Sequence, residues 1–138
     1  MPIIAINAQL LSGQAGYRQA GIHTYIKQLL NHLPPDEQLQ YKTFTQQGAS
    51  HLLPPILNGR ESNFPTHKPI VRIAWEQTAF PLLTAQKQAD VLHSMAFVTP
   101  LLTRKPTVVT VYDLSPFHYP DRLPRFKRWY LQTQIRRS

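Results

Sequence analysis

The chain has 138 residues, of which 42% are apolar and 16% are charged, a balance typical of one globular domain and not of a disordered chain. The absence of cysteine excludes disulfide bonds and thiolate metal sites. A net charge of +8 favours anionic partners, namely nucleic acid, anionic lipid headgroups or phosphorylated ligands, without choosing among them. The N-terminus lacks the pattern of a signal peptide and no apolar run approaches the roughly 20 residues of a bilayer span, so we expect a cytoplasmic protein.

The beginning of the chain predicts a strand followed by a glycine-bearing loop. Residues 2–8 are almost continuously apolar, which is typical of a strand in a parallel sheet that helices cover on both faces. Residues 9–20 contain Gly13 and Gly16 among small polar residues, and Gly21 follows directly. Glycines at this density predict a loop.

A helix and a series of shorter elements come next. Apolar residues at three- and four-residue intervals predict a helix over 22–33, which Pro34 ends. Residues 107–111 are all β-branched and predict a second buried strand, which we expect to lie beside strand 2–8. The other predicted elements are a strand over 41–46, a long polar loop with one short helix over 47–69, a strand over 70–75, a helix over 76–87 interrupted near Pro81, a short strand over 90–94 and a loop over 113–120.

The last segment predicts a helix over 122–137 with a basic outer face. Leu123, Phe126 and Tyr130 are expected to face inward, whereas Arg125, Arg128 and Arg136 are expected to face outward. Such a charge run is more often a solvated helix face than a binding site, although contact with the inner face of a membrane is compatible with it. Strands that alternate with helices predict an α/β fold with a doubly wound parallel sheet, Rossmann-like.

Candidate site residues lie where the predicted strands end, because ligands of open parallel sheets bind beyond the carboxyl ends of the strands. Gly13, Gly16 and Gly21 precede a helix N-terminus, where glycine lets the backbone approach a phosphate and the helix offers unpaired N–H groups. Their spacing matches neither the dinucleotide fingerprint nor a P-loop, and loop shaping explains them equally well.

Four further candidates follow the strands at 90–94 and 107–111. His93 and Ser94 could contact a ligand, or the histidine could cap the strand end. Asp113 could act as a base, orient a sugar hydroxyl, or cap the loop before Leu-Ser-Pro. Tyr112 can form hydrogen bonds but is a poor base near neutral pH, since the reference pKa of tyrosine is about 10.

Several kinds of site are unsupported by the sequence. The six histidines show no metal-ligand spacing, so no metal is expected. There is no Gly-x-Ser-x-Gly elbow of a hydrolase, and no nucleic-acid-binding motif in which aromatic residues interleave with the basic ones. Trp75 and Trp129 are interpreted as core or interface residues.

Three segments, in this chain order, resemble the N-terminal domain of glycosyltransferase family 4 enzymes of GT-B fold. Residues 4–34 are similar to the opening strand, glycine-bearing loop and helix of that family. Residues 89–101 are similar to its fourth-strand segment, and residues 106–138 to its Pro-Thr-Val-Val-Thr-Val-His-Asp-Leu segment with the following helix. The helix pattern Gly-Ile-x-x-Tyr-x-x-x-Leu-Leu is matched by Gly21, Ile22, Tyr25, Leu29 and Leu30.

The resemblance implies a retaining transfer of a sugar from a nucleotide-sugar donor to a saccharide or lipid-linked acceptor, with no cofactor or metal. It implies that Gly13, Gly16 and Gly21 approach the donor diphosphate, that His93 and Ser94 contact the acceptor, and that Asp113 and position 112 lie beside the transferred sugar. The donor-binding domain of the family is not part of these 138 residues, so we expect the chain to be inactive by itself.

One departure from the family bears on catalysis. The family usually has histidine where this chain has Tyr112, and tyrosine lacks a group that titrates near neutrality. The alternative prediction is therefore a non-catalytic, degenerate Rossmann-like module that binds a nucleotide-sugar or a polyanion.

Overall fold

The computed structural model describes residues 1–13 and 20–138, which form an α/β fold around a five-stranded, all-parallel sheet. The strands are β1 (Ile3–Ala8), β2 (Gln40–Thr45), β3 (Asn58–Glu61), β4 (Val91–Ser94) and β5 (Thr107–Val109). The helices are α1 (Ala20–Asn31), α2 (Pro69–Gln77), α3 (Ala79–Gln86), α4 (Ser115–His118) and α5 (Arg125–Arg137). The strand order is β3-β2-β1-β4-β5, so the predicted doubly wound, Rossmann-like class is confirmed.

Helices cover both faces of the sheet, and β1 shows how the sequence produces this arrangement. Successive side chains of a strand point to opposite faces. Ile6 packs with Ile26 and Leu30 of α1 in one core cluster. Ala5, one residue earlier, packs with Phe80 of α3 in a second cluster on the other face. The unbroken apolar run at the start of the chain is therefore explained by burial on two faces.

The topology gathers the candidate loops at one edge. All four strand pairs are parallel, so the segments that follow the strands leave from the same edge of the sheet. The order reverses between β1 and β4, because β2 and β3 extend to one side of β1 and β4 and β5 extend to the other. This reversal is the switch point where open α/β sheets usually bind ligands.

The strand predicted over 70–75 is wrong, because these residues belong to helix α2. Pro69 occupies the first turn, where its fixed φ suits a helix and its missing N–H is not needed. Trp75 and Glu76 are buried on the inner side of this helix. The β-branched residues before them favour a strand locally, but burial of one helical face overrides that preference.

The edges of the sheet also differ from the prediction. β3 lies in the segment predicted as a loop over 47–69. The prediction missed this strand because its sequence, Asn-Gly-Arg-Glu, has no apolar pattern. β5 is shorter than predicted and forms an exposed edge, with Val108 52% exposed. β1 and β5 do not lie side by side, because β4 pairs with both of them. A β-branched run reflects strand preference and does not by itself indicate burial.

Three smaller expectations about helices are corrected. The loop predicted over 113–120 contains the short helix α4. The interruption between α2 and α3 lies at Thr78, whose φ of −121° is not helical, and Pro81 is accommodated in the first turn of α3. Phe126 does not face inward, since it is 61% exposed, whereas Tyr130 is buried as predicted.

Candidate functional site

The glycine-bearing segment after β1 is only partly within the described residues. Gly13 and Gly21 are described, and Gly16 lies outside the described residues. Among the described residues, a Cβ at Gly21 would meet nothing within 4 Å, and one at Gly13 would meet only Leu52 Cδ1 at 3.8 Å. Packing against the described part of the chain therefore does not require glycine at either position. The segment is fixed to α1 by the backbone N–H of Ser12, which donates to His23 Nδ1 at 3.0 Å.

His93 and Ser94 occupy the end of β4 but face opposite sides of the sheet. In the parallel register His93 lies beside Ile6, on the α1 face, and Ser94 lies beside Asn7, on the α2 face. Burial lowers the pKa of His93, which favours its neutral form. Ser94 is buried, and its Oγ has no hydrogen-bond partner among the described residues. The two side chains cannot contact one acceptor from the same face.

Tyr112 lies against α1 and against the loop after β4. Its ring makes edge contacts with Tyr25, at 5.1 Å between centroids, and with Phe97, at 5.4 Å. The Tyr112 hydroxyl donates to the carbonyl of Met95. Burial raises the pKa of that hydroxyl, as does the neighbouring Tyr25. The Tyr25 contact brings the segment after β5 to the helix that follows the glycine-bearing loop.

Asp113 is exposed, and its carboxylate accepts a hydrogen bond in a local turn. Its Oδ1 accepts the backbone N–H of Ser115 at 2.9 Å, and the hydrogen bonds from Ser115 hold the pKa of the carboxyl below its usual range. The carboxylate is ionised near neutral pH, so it could orient a sugar hydroxyl as an acceptor but could not donate a proton. Asp113 therefore caps the loop before Leu-Ser-Pro, which was one of the roles considered from the sequence.

The loop between β4 and β5 contains a backbone conformation that bulky residues rarely adopt. Phe97 has a φ of +54°, in the left-handed region. The Phe97 N–H donates to the Thr110 carbonyl at 2.9 Å, and its ring packs on Tyr112. Conformations of this kind concentrate at functional sites, and here it lies beside the switch point.

A buried polar cluster beneath the same edge was missed by sequence reasoning. Glu76 of α2 is 6% exposed, and Asn7 of β1 donates to its Oε1 at 3.0 Å. Burial raises the pKa of Glu76 to about 7, although Arg72 and the Asn7 hydrogen bond oppose that change. Burial, together with the charge of Glu76, raises the pKa of Tyr130 to about 12. The available signal was Asn7, a polar residue inside an otherwise apolar strand.

An open cavity of about 610 Å³ lies beyond the carboxyl ends of β1 and β2, one strand away from the switch point. Gln9 and Gly13 line it from the β1 side, and Gln46 and Gln47 line it from the β2 side. Basic side chains complete the wall: His51, His67 and Arg72. None of the three was a candidate in the sequence, since they lie in segments assigned to a loop and a strand, with no recognised motif.

Groups that would indicate a metal site or a membrane span are not found in the described parts of the chain. Among residues 1–13 and 20–138, no three His, Asp or Glu side chains are grouped so that they could hold a metal ion. Within the same ranges, none of the helices has both the length and the apolar character needed to cross a bilayer.

Comparisons of this chain with protein-family models, with curated proteins and with solved structures found no match.

Proposed function

We propose that this chain is the acceptor-side, N-terminal part of a retaining glycosyltransferase, which moves a sugar from a nucleotide-sugar donor to a saccharide or lipid-linked acceptor. The proposal is supported by the resemblance of residues 4–34, 89–101 and 106–138, in that order, to the N-terminal domain of glycosyltransferase family 4. The doubly wound parallel sheet agrees with the fold that the resemblance implies.

One observation carries the proposal: the three resembling segments meet at one edge of the sheet. The ends of β1, β4 and β5 point the same way, and the Tyr25–Tyr112 contact joins the helix after the glycine-bearing loop to the end of β5. A donor diphosphate beside Gly13 and Gly21 would then lie on the side of the sheet from which Tyr112 and Asp113 emerge. That arrangement is what a shared crevice for donor and acceptor requires.

The proposed roles differ between Asp113 and Tyr112. Asp113 is ionised and exposed, so it serves as an acceptor that orients a hydroxyl of the sugar. The Tyr112 hydroxyl already donates to Met95, and tyrosine replaces the family's histidine, so Tyr112 positions the loop after β4 and supplies no proton. No metal or other cofactor enters this proposal.

Peripheral contact with an anionic membrane is the second part of the proposal. Phe126 and Trp129 of α5 are each 61% exposed, although aromatic residues of this size are usually buried. Arg125, Lys127 and Arg128 lie beside them in the sequence, and no acidic residue occurs in α5. Exposed aromatic residues among cations are typical of helices that lie in the interface of an anionic bilayer.

The test of sugar transfer uses the protein translated from the complete reading frame that contains this chain. That protein is incubated with uridine and guanosine diphosphate sugars and with saccharide and polyprenyl-phosphate-sugar acceptors, and the released nucleoside diphosphate is measured. We expect turnover that Asp113→Asn reduces, and calorimetric binding of the donor to the complete protein but not to the 138-residue chain. A reading frame that encodes no second Rossmann-like domain would refute the proposal.

The alternative, a non-catalytic Rossmann-like binding module, is favoured by one observation. Both polar groups at the end of β5 have partners within the chain, Met95 for Tyr112 and Ser115 for Asp113. Calorimetric titration of the isolated chain with nucleotide-sugars separates the two functions, because heat of binding without any second domain supports the module and contradicts the acceptor-side assignment.

A further inference from the structure

We propose that the cavity beyond β1 and β2 is a binding site for a phosphoryl group, held by Arg72, His51 and His67, with Gly13 of the glycine-bearing segment in its wall. The proposal does not rest on sugar transfer. Its three basic residues come from the β2–β3 connection, the segment before α2 and α2 itself, and not from the glycine-bearing loop.

The charge of the wall carries the first step. Among the described residues that line the cavity, three are Arg or His and none is Asp or Glu. Glu61 and Glu76, the carboxylates that interact with His51 and Arg72, also accept hydrogen bonds within the protein. Glu61 lies near His51, and its Oε1 accepts the backbone N–H and the hydroxyl of Ser50. Glu76 lies near Arg72 but is buried and accepts from Asn7.

A buried donor in the wall gives the second step. Gln9 is 2% exposed, and its Oε1 accepts the Thr66 hydroxyl at 2.6 Å. Its Nε2 has no hydrogen-bond partner among the described residues, although a buried amide donor left without a partner is destabilising. A small movement of this side chain into the cavity would let an anionic oxygen accept that N–H.

The number and origin of the donors favour a phosphoryl group over a carboxylate. A carboxylate has two oxygens in one plane, whereas a phosphoryl group offers three acceptor oxygens in different directions. Donors from three separate segments suit the second geometry. The volume of about 610 Å³ is much larger than a phosphate and lies within the range of small-molecule sites, so an organic phosphate fits better than the free ion.

The test is a titration of the ¹⁵N-labelled chain with inorganic phosphate, pyrophosphate and acetate at constant ionic strength, followed by amide NMR. We expect the amides of Gly13, Gly48 and Arg72 to shift with phosphate and pyrophosphate and not with acetate. Arg72→Met should weaken pyrophosphate binding by about tenfold or more, since a hydrogen bond to a charged group is worth about 1.5–3 kcal/mol.

The controls separate a built site from general attraction to a basic protein. Arg104→Met removes the same charge from an exposed loop outside the cavity and should leave binding unchanged. The double variant His51→Gln, His67→Gln alters two exposed side chains, and it replaces Arg72→Met as the test variant if that one does not fold. The proposal would be overturned by an equal loss of pyrophosphate binding in the Arg104 variant, by amide shifts confined to residues outside the cavity, or by equal amide shifts with acetate. Phosphate binding with no sugar transfer would refute only the glycosyltransferase assignment.

Discussion

Neutralising the buried carboxyl of Glu76 should stabilise the protein at pH 8 and leave it unchanged at pH 4. Burial raises the pKa of Glu76 from 4.5 to about 7, whereas the unfolded chain keeps the ordinary value. Between pH 4.5 and 7 the unfolded state therefore releases a proton that the folded state retains. Stability from this group is complete below pH 4.5 and is lost as the pH rises through 7.

The magnitude follows from the two pKa values. The interval between 4.5 and about 7 corresponds to about 3 kcal/mol, at 1.36 kcal/mol for each pKa unit. Glu76→Gln keeps an amide oxygen that accepts the Asn7 hydrogen bond at 3.0 Å and removes the charge. The variant should therefore exceed the parent in free energy of unfolding by up to about 3 kcal/mol at pH 8, and by nothing near pH 4.

Urea unfolding at pH 4, 5, 6, 7 and 8 measures this difference, and the comparison of two chains cancels the titration of the histidines. The control is Glu61→Gln, because hydrogen bonds from Ser50 lower the pKa of Glu61 and its effect should therefore have the opposite sign. The stability that ionised Glu61 contributes is present above pH 4.5 and is lost as the pH falls. Glu61→Gln should therefore have a lower free energy of unfolding than the parent near neutrality. Parallel curves for the parent and Glu76→Gln from pH 5 to 8 would refute the reasoning.

Three further predictions concern packing, backbone and surface. Phe80→Ala should lower the free energy of unfolding by about 3–5 kcal/mol in urea titrations, because Phe80 is fully buried; a loss below 1 kcal/mol, on the order of a surface change, would contradict this. Gly48→Ala should cost about 1–2 kcal/mol in the same assay, since φ is +72° although the described residues leave space for a Cβ. Phe126→Ser with Trp129→Ser should abolish sedimentation with phosphatidylserine vesicles, whereas Phe64→Ser, at an aromatic residue of similar exposure elsewhere, should retain it.

The parts of the fold that the sequence predicts correctly are those where burial and local preference agree. β1 buries an almost continuous apolar run and α1 buries an apolar stripe at helical period, so their type and approximate position follow from the apolar pattern alone. β3 has no such pattern, since it is held by pairing with β2 from Lys42↔Asn58 to Thr45↔Glu61. The prediction for α2 fails in the opposite way. Its β-branched residues indicate a strand, whereas in the structure the segment is a helix that buries Trp75 and Glu76.

The sequence predicts at which edge of the sheet the candidate site lies. It does not predict which face each side chain occupies or where the basic residues gather. Parallel topology was enough to bring Tyr112 to the helix that follows the glycine-bearing loop. Period-two alternation in β4 already implied that His93 and Ser94 diverge, although their adjacency in sequence suggested one site. The cavity with Arg72 needs three segments whose relative positions are set by tertiary contacts, and no spacing in the chain encodes that.

Helix α5 connects the buried polar cluster, through Tyr130, with the exposed aromatic residues Phe126 and Trp129. Gln77 donates to the Tyr130 hydroxyl at 3.0 Å, and Gln134 accepts the Thr99 N–H at 3.2 Å. Trp129, by contrast, is exposed, so the largest apolar side chain of the helix contributes little to holding it. A net hydrogen bond contributes about 1 kcal/mol, less than a buried aromatic side chain. α5 is therefore held by the buried aromatic side chain of Tyr130 and by these hydrogen bonds, whereas Phe126 and Trp129 stay exposed and add little to its packing.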